Sequence, residues 1–162
     1  MSGENCEIDA LDGEILKRLQ SDARASYLEI ARELGVAGGT IHARLARMKA
    51  EGLIRGSMLA LDYSKLGYSI KAFIGLKLVR AHDCGSLMEK LATIDEVLEV
   101  HYTTGAYSLF IKVMATSMKD LHALLFDKLQ GFDEIQSTET FVILDTSLDR
   151  ELPLRSPTWL PA

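Results

Sequence analysis

Residues 26–55 read SYLEIARELGVAGGTIHARLARMKAEGLIR, and this stretch decides the fold of the N-terminal part of the chain. Tyr27, Ile30, Ala31 and Leu34 recur at helical spacing and make one apolar face. Ser26 stands as the N-cap, with Glu29 three residues on completing a capping-box pattern. Gly35 predicts the stop, because glycine takes positive φ without a steric cost. A longer helix follows from about Gly39 to Glu51, with Ile41, Leu45 and Met48 inward and Gly52 at its end. A short helix, a glycine turn and a basic helix form a helix-turn-helix pattern.

Upstream, Leu11, Ile15, Leu16 and Leu19 share one face of a further helix, and Asp9 and Asp12 stand near its positive end. Downstream, the apolar stretch Leu53 to Leu61 reads as the strand of a wing. Residues 9–61 are therefore expected to be a winged helix-turn-helix domain. Asp62 to Gly67 carries turn chemistry, so 62–69 is a linker.

The pattern then changes. Ala72, Ile74, Leu76 and Leu78 alternate as in a strand, whereas Leu87, Met88 and Leu91 have helical spacing, with Asp83 as the expected cap. Leu98, Val100 and Tyr102 alternate, as do Tyr107, Leu109, Ile111 and Val113 beyond Gly105. Met118, Leu121, Leu125 and Leu129 share a helical face, and 135–144 is a last strand. Strand, helix, strand, strand, helix, strand is the ferredoxin-like order, expected over 70–145, so the whole chain is α+β. Such a sheet has helices on one face only. Phe73 and Val79 point to the other, which favours pairing with a second copy. Residues 146–162 hold all three prolines and form an irregular tail, in which Trp159 and Leu160 either dock on a neighbour or stay unstructured.

The chain has 162 residues and a net charge of -5, which argues against a general polyanion binder. Any DNA contact must rest on a local basic surface, and Arg44, Arg47, Lys49 and Arg55 against Glu51 supply one. No apolar run is long enough to span a bilayer, and the N-terminus lacks the blocks of a signal peptide, so a cytoplasmic location is expected with no membrane partner. Cys6 and Cys84 lie far apart and suggest neither a disulfide framework nor a zinc site. Cys84, in the first turn of a helix, reads as an inert semi-buried thiol. The four histidines show no ligand spacing, so no metal and no cofactor is expected.

Two segments carry candidate chemistry. A recognition helix reads bases from its N-terminal half, here Gly38, Gly39, Thr40 and His42, followed by Arg44 and Arg47. The two glycines admit close approach of the backbone to a double-stranded DNA, and an arginine can bond guanine in two places or pair with a phosphate. On charge pattern alone, an ordinary helix with a solvated basic face fits as well; the turn at Gly35 and the strand expected after Gly52 favour the DNA reading. The second segment is HYTTGAYS (101–108), where Gly105-Ala106 suits a two-residue turn, together with the polar QSTET (136–140) in a final strand. Such polar strand residues mark either a solvated edge or a pocket for a small zwitterion, in which Gln136 offers an amide both donor and acceptor.

The two halves together resemble the Lrp/AsnC family of amino-acid-responsive transcription regulators. The likeness runs over about residues 9–145 and rests on Leu11-Asp12, EIARELG (29–35), TIHAR (40–44), GLI (52–54), TTG (103–105) and DEIQSTET (133–140). The last segment, with YTTG (102–105) and FIKV (110–113), is similar to the asparagine-responsive branch. The resemblance implies a homodimer through the C-terminal sheets, dimers assembled into larger rings, usually octamers, and an amino-acid effector held between dimers near the Thr-Gly hairpin. Carried onto this chain, the effector site comprises Tyr102, Thr103, Thr104, Gly105, Ser108, Gln136 and Ser137, with asparagine as the implied ligand. Two positions depart from the family. Ala37-Gly38 stand where Ser-Pro often opens the recognition helix, a lost cap of about 1 kcal/mol, and Ser108 stands where many relatives carry Asp. The chain reads as a DNA-binding regulator and not an enzyme. The competing reading is a sirohaem-decarboxylase-like enzyme on the same scaffold, with His101 and His122 as acid–base candidates.

Overall fold

A computed structural model describes residues 7–154, which fall into two units divided between residues 60 and 61. Helix α1 (Ala10–Ser21) begins at a complete capping box: the Asp9 carboxylate accepts from the Asp12 N–H at 2.8 Å, and the Asp12 carboxylate accepts from the Asp9 N–H at 3.2 Å. α2 (Tyr27–Leu34) ends at Gly35, whose φ of 66° lets the Val36 N–H reach back to the Ala31 carbonyl at 2.9 Å. α3 (Gly38–Ala50) follows after three residues. Ile15, Ile30, Ala31, Ile41, Leu45 and Met48 fill the shared core, flanked by Leu11, Leu16, Leu19 and Leu34. Each of the fully buried isoleucine, leucine and methionine side chains contributes about 1.5–3 kcal/mol over its exposed state.

Three local expectations differ. Ser26 is the N-cap of α2, but its hydroxyl makes no cap bond, and Asp83, the cap position of the later helix, makes none either. Asp83 instead faces Arg80 and His82. The wing strand does not form: residues 53–61 contain no strand, Gly56 sits at φ 155°, and Met58 and Leu59 are exposed. A strand needs a hydrogen-bonding neighbour, and among the described residues none pairs with this stretch.

In the second unit a 3-10 turn, Tyr63–Leu66, precedes β1 (Ile70–Leu78). Then come α4 (Cys84–Leu91), β2 (Val97–Tyr102), β3 (Leu109–Ala115), α5 (Met118–Ala123) and β4 (Ile135–Val142). The sheet order is β2-β3-β1-β4, with every neighbour antiparallel. This is the ferredoxin-like arrangement. Ala72, Ile74, Leu76, Leu109, Ile111 and Val113 point to the helices and close the core with Leu87, Leu91, Leu121, Leu124 and Leu129. Cys84 is half-buried against the same core.

The helix after β3 corrects the sequence reading. α5 passes into a π-helical turn at Leu124–Leu129; Leu124, three residues after Leu121, is buried, Leu125 only partly so, and Met118 is exposed. A π turn carries more residues per turn than an α-helix, and it rotates the following side chains to a new face.

Within this unit the opposite face of the sheet carries no helix. Phe73, Phe110 and Phe141 gather on it, with Phe73 and Phe110 stacked at 5.4 Å between ring centroids. Val79 is exposed just past the far end of β1, six residues from Phe73. Beyond β4, residues 143–154 form neither helix nor strand. Residues 150–154 belong with the first unit, where the Gln20 amide donates to the Leu152 carbonyl at 2.8 Å and accepts from the Leu154 N–H at 3.2 Å. Trp159, Leu160 and Cys6 lie outside the described residues.

Candidate nucleic-acid interface and effector region

Helix α3 shows two different polar faces. Gly39, His42, Ala43, Ala46 and Lys49 are exposed, with Gly38 and Thr40 half-buried at the N-terminal end. His42 stands edge-on to the Tyr27 ring at 5.0 Å and, with Arg24, Ser26 and Leu28, lines an open hollow at the start of α2. The Ser26 hydroxyl, unused as a cap, lies in that hollow. No pattern in the sequence joined these residues to His42, because their proximity depends on how α2 and α3 cross.

Arg44 and Arg47 are placed elsewhere. The sequence reading put both in the groove; the structure engages both with the start of α1. Arg44 Nη1 donates to Asp9 Oδ2 at 2.5 Å and to Asp12 Oδ1 at 2.9 Å. Arg47 Nη2 donates to Asp12 Oδ2 at 2.6 Å, and its Nη1 to the Glu7 carbonyl at 2.8 Å. Asp12 is 1% exposed and would be a strongly unfavourable buried charge without these partners. The Arg44 hydrogen bond, reinforced by the Asp12 N–H, holds the Asp9 carboxyl below its ordinary value, and Asp9 and Asp12 in turn raise that of Arg44. Among the described residues the exposed cations of the unit are Arg24, Arg32, Lys49, Arg55 and Arg150.

The hairpin near Thr103 is wider than a two-residue turn. Its last ladder pair is Tyr102 with Leu109, and the Thr103 N–H donates to the Ser108 carbonyl at 3.1 Å, leaving a four-residue loop of Thr104 to Tyr107. Gly105 takes φ 113° there. The loop is held by the Thr103 hydroxyl, which donates to the Tyr107 carbonyl at 2.8 Å, and by the Tyr107 ring, which lies on Gly75. A Cβ at Gly75 would meet that ring at 2.6 Å, so only glycine fits. The Tyr107 hydroxyl donates to Glu139 on β4, and this contact raises the Tyr107 value.

Ser108 and β4 come to one end of the sheet. The Ser108 N–H donates to the Leu76 carbonyl at 2.9 Å, Leu76 pairs with Thr138, and Lys77 pairs with Ser137. Gln136 sits at a bulge, where the register shifts between Lys77 and Leu78. Ser108, Lys77 and Ser137 thus share a level across three strands. Tyr102 is 67% exposed on the outer strand, Thr104, Gly105, Gln136 and Ser137 are exposed, and Thr103 and Ser108 are half-buried. β4 is also an edge strand, so part of its polarity serves as a solvated edge.

The two histidines considered for acid–base work are separated by the sheet. His101 bonds to Glu99 at 3.0 Å on the helix-free face, and His122 stacks on Phe126 at 4.4 Å on α5. Nothing here supports the decarboxylase reading. Among the described residues no cluster of three or more His, Cys, Asp or Glu has the geometry for a metal ion, and no helix is long and apolar enough to cross a membrane.

A helix-turn-helix unit joined to a ferredoxin-like unit of this strand order defines a class, the DNA-binding regulator with a sensory domain. Residues 8–49 match the AsnC-type helix-turn-helix domain and residues 71–153 the Lrp/AsnC ligand binding domain. The chain belongs to the Lrp/AsnC family and is an amino-acid-responsive transcription regulator. It is 45% identical over 145 residues to a regulatory protein AsnC of Haemophilus influenzae, covering 90% of this chain and 97% of that one. The solved structure of Escherichia coli AsnC superposes with a TM-score of 0.88 at 44% identity, covering 91% of this chain and 99% of that one. A transcriptional regulator of Neisseria meningitidis, solved as its L-Met complex, shares the fold at TM-score 0.84 and 21% identity, covering 91% of this chain and 97% of that one.

Proposed function

We propose that asparagine is the effector and that it binds at the hairpin end of the sheet, among Tyr102, Thr103, Thr104, Gly105, Ser108, Gln136 and Ser137. The observation that carries this reading is the convergence of Ser108 and Ser137 across β1 at one sheet level, with the Gln136 bulge beside them. Hydroxyls and loop amides suit an α-carboxylate, carbonyls suit an α-ammonium, and the Gln136 amide matches an amide side chain in both donor and acceptor. These groups are largely exposed on a single chain, so a neighbouring chain is needed to exclude water from the ligand.

That neighbour is a second copy. The aromatic patch of Phe73, Phe110 and Phe141 joins two chains into a homodimer, and dimers assemble into a higher ring, an octamer by family resemblance, in the cytoplasm where its DNA lies. Duplex contact is made by Gly38, Gly39, Thr40 and His42 at the front of α3, with Arg44 and Arg47 behind them on the same helix and the linker 62–69 joining the domain to its sheet. The ligand acts by its differential affinity for two assembly states, a coupling of typically about 1–3 kcal/mol.

Calorimetry of the full-length protein with each of the twenty amino acids, alongside light scattering, tests the assignment. Asparagine is expected to bind most tightly and to shift the particle mass. Thr104→Ala and Gln136→Ala are expected to lose the heat and the shift while unfolding at the wild-type temperature. A different amino acid ranking first would replace asparagine; undiminished binding in both variants would move the site.

A further inference from the structure

Asp12 is the one buried charged side chain among the described residues of the DNA-binding unit. Its two oxygens accept from different arginines, Oδ1 from Arg44 at 2.9 Å and Oδ2 from Arg47 at 2.6 Å, and Oδ2 also accepts from the Asp9 N–H at 3.2 Å. Both arginines come from α3 and the carboxylate from α1. Residues three apart lie on one side of a helix at successive turns. One carboxylate gripping both therefore fixes the rotation of α3 about its own axis as well as its distance from α1. For either guanidinium to leave for a base, it must break a charge-assisted bond and expose a carboxylate that water does not reach, which is strongly unfavourable. The face left open for the duplex is the neighbouring stripe of Gly39, His42, Ala43, Ala46 and Lys49.

We propose that Asp12 is a positioning residue for DNA recognition, and that Arg44 and Arg47 seat α3 through it and do not themselves read bases. The base contacts then fall to His42 and to the small side chains beside it, alanine methyls being suited to thymine methyls. The helix-turn-helix identity of the unit does not depend on this division of labour, so the two can fail separately.

The test uses the full-length chain and a duplex that the wild type recovers from a randomised pool. Selection and affinity are then measured for Arg44→Met and Arg47→Met over a range of KCl concentrations. The expected result is a tenfold or greater loss of affinity, a preference that weakens at all positions of the recovered sequence together, and an unchanged slope of log affinity against log salt. Relaxed preference at one base pair only would make the arginine a base reader, and a slope reduced by about 0.9 would make it a phosphate contact; either overturns the proposal. Asp12→Asn keeps the size and removes the charge. It is expected to lower the affinity ratio of recovered to scrambled duplex at least tenfold while the salt slope holds or steepens, because freed guanidiniums reach phosphates. An unchanged ratio overturns the positioning role. Should Asp12→Asn not fold, the two arginine variants decide the matter alone.

Discussion

At the scale of single residues, the charges of the N-terminal unit show what a sequence can and cannot convey. Asp9 and Asp12 near a helix start were readable as favourable to the helix end, and both take part in the capping box. That the same carboxylates also capture Arg44 and Arg47 was not readable. The partners lie 35 residues or so away in the chain, and a charge pattern carries no information on which face of which helix it will meet. Gly75 is a similar case: a glycine inside an alternating strand signals close approach, but only the coordinates show that Tyr107 fills the space. The Asp9 pair leads to a pH prediction. Arg44 depresses the Asp9 value in the folded state, so its contribution is complete above the unfolded carboxylate value of roughly 4 and is lost as pH falls through the folded value. Asparagine caps a helix as well as aspartate does, so Asp9→Asn isolates the charge. The wild type is expected to melt above Asp9→Asn at neutral pH, with the gap closing between about pH 5 and about pH 3. A gap that stays constant would mean that the pair contributes no stability.

At the scale of elements, periodicity located nearly every helix and strand, because each has a face that must meet a core. It failed where local geometry departs from the regular period or where pairing lies beyond the segment. The stretch 53–61 is apolar enough for a strand, yet a strand forms only beside another, and the sequence could not reveal that none of the described residues pairs with it. The helix around Leu121 is the sharper lesson, since Leu124 and Leu125, three and four residues on, both fall near its apolar face, and the structure buries Leu124 fully and Leu125 only in part. The distinction is measurable. Leu124→Ala removes a fully buried side chain and is expected to cost about 2–5 kcal/mol, whereas Leu125→Ala, at a half-buried site, should cost clearly less. Urea midpoints of the two variants at equal m-value check the order, and the reverse order would make Leu125 the core residue.

At the scale of the whole molecule, the helix-free sheet face and the α3 surface are linked by arithmetic. On the proposed reading one α3 helix covers only a half-site, whereas a symmetric pair of chains would cover two half-sites about one helical turn apart. Joining two readers converts the second contact into an intramolecular one, a gain of about 10²–10⁴ in apparent affinity without any new contact to DNA. The candidate joint is the aromatic patch, and Phe141 is its best point of attack. It is 44% exposed on edge strand β4, so a charge there leaves the core of the unit intact. Facing its own copy across a two-fold axis, a glutamate at this position would also lie two residues from Glu139 on the same face. Phe141→Glu is therefore expected to halve the smallest particle mass in light scattering, to leave the thermal unfolding of the single chain cooperative, and to weaken binding to a two-half-site duplex by a factor of about 10²–10⁴. Binding to a single half-site should stay as in the wild type, since α3 is untouched. A variant that remains paired would put the subunit contact on another surface, and one that falls apart yet binds the full site undiminished would mean that a single domain carries the recognition.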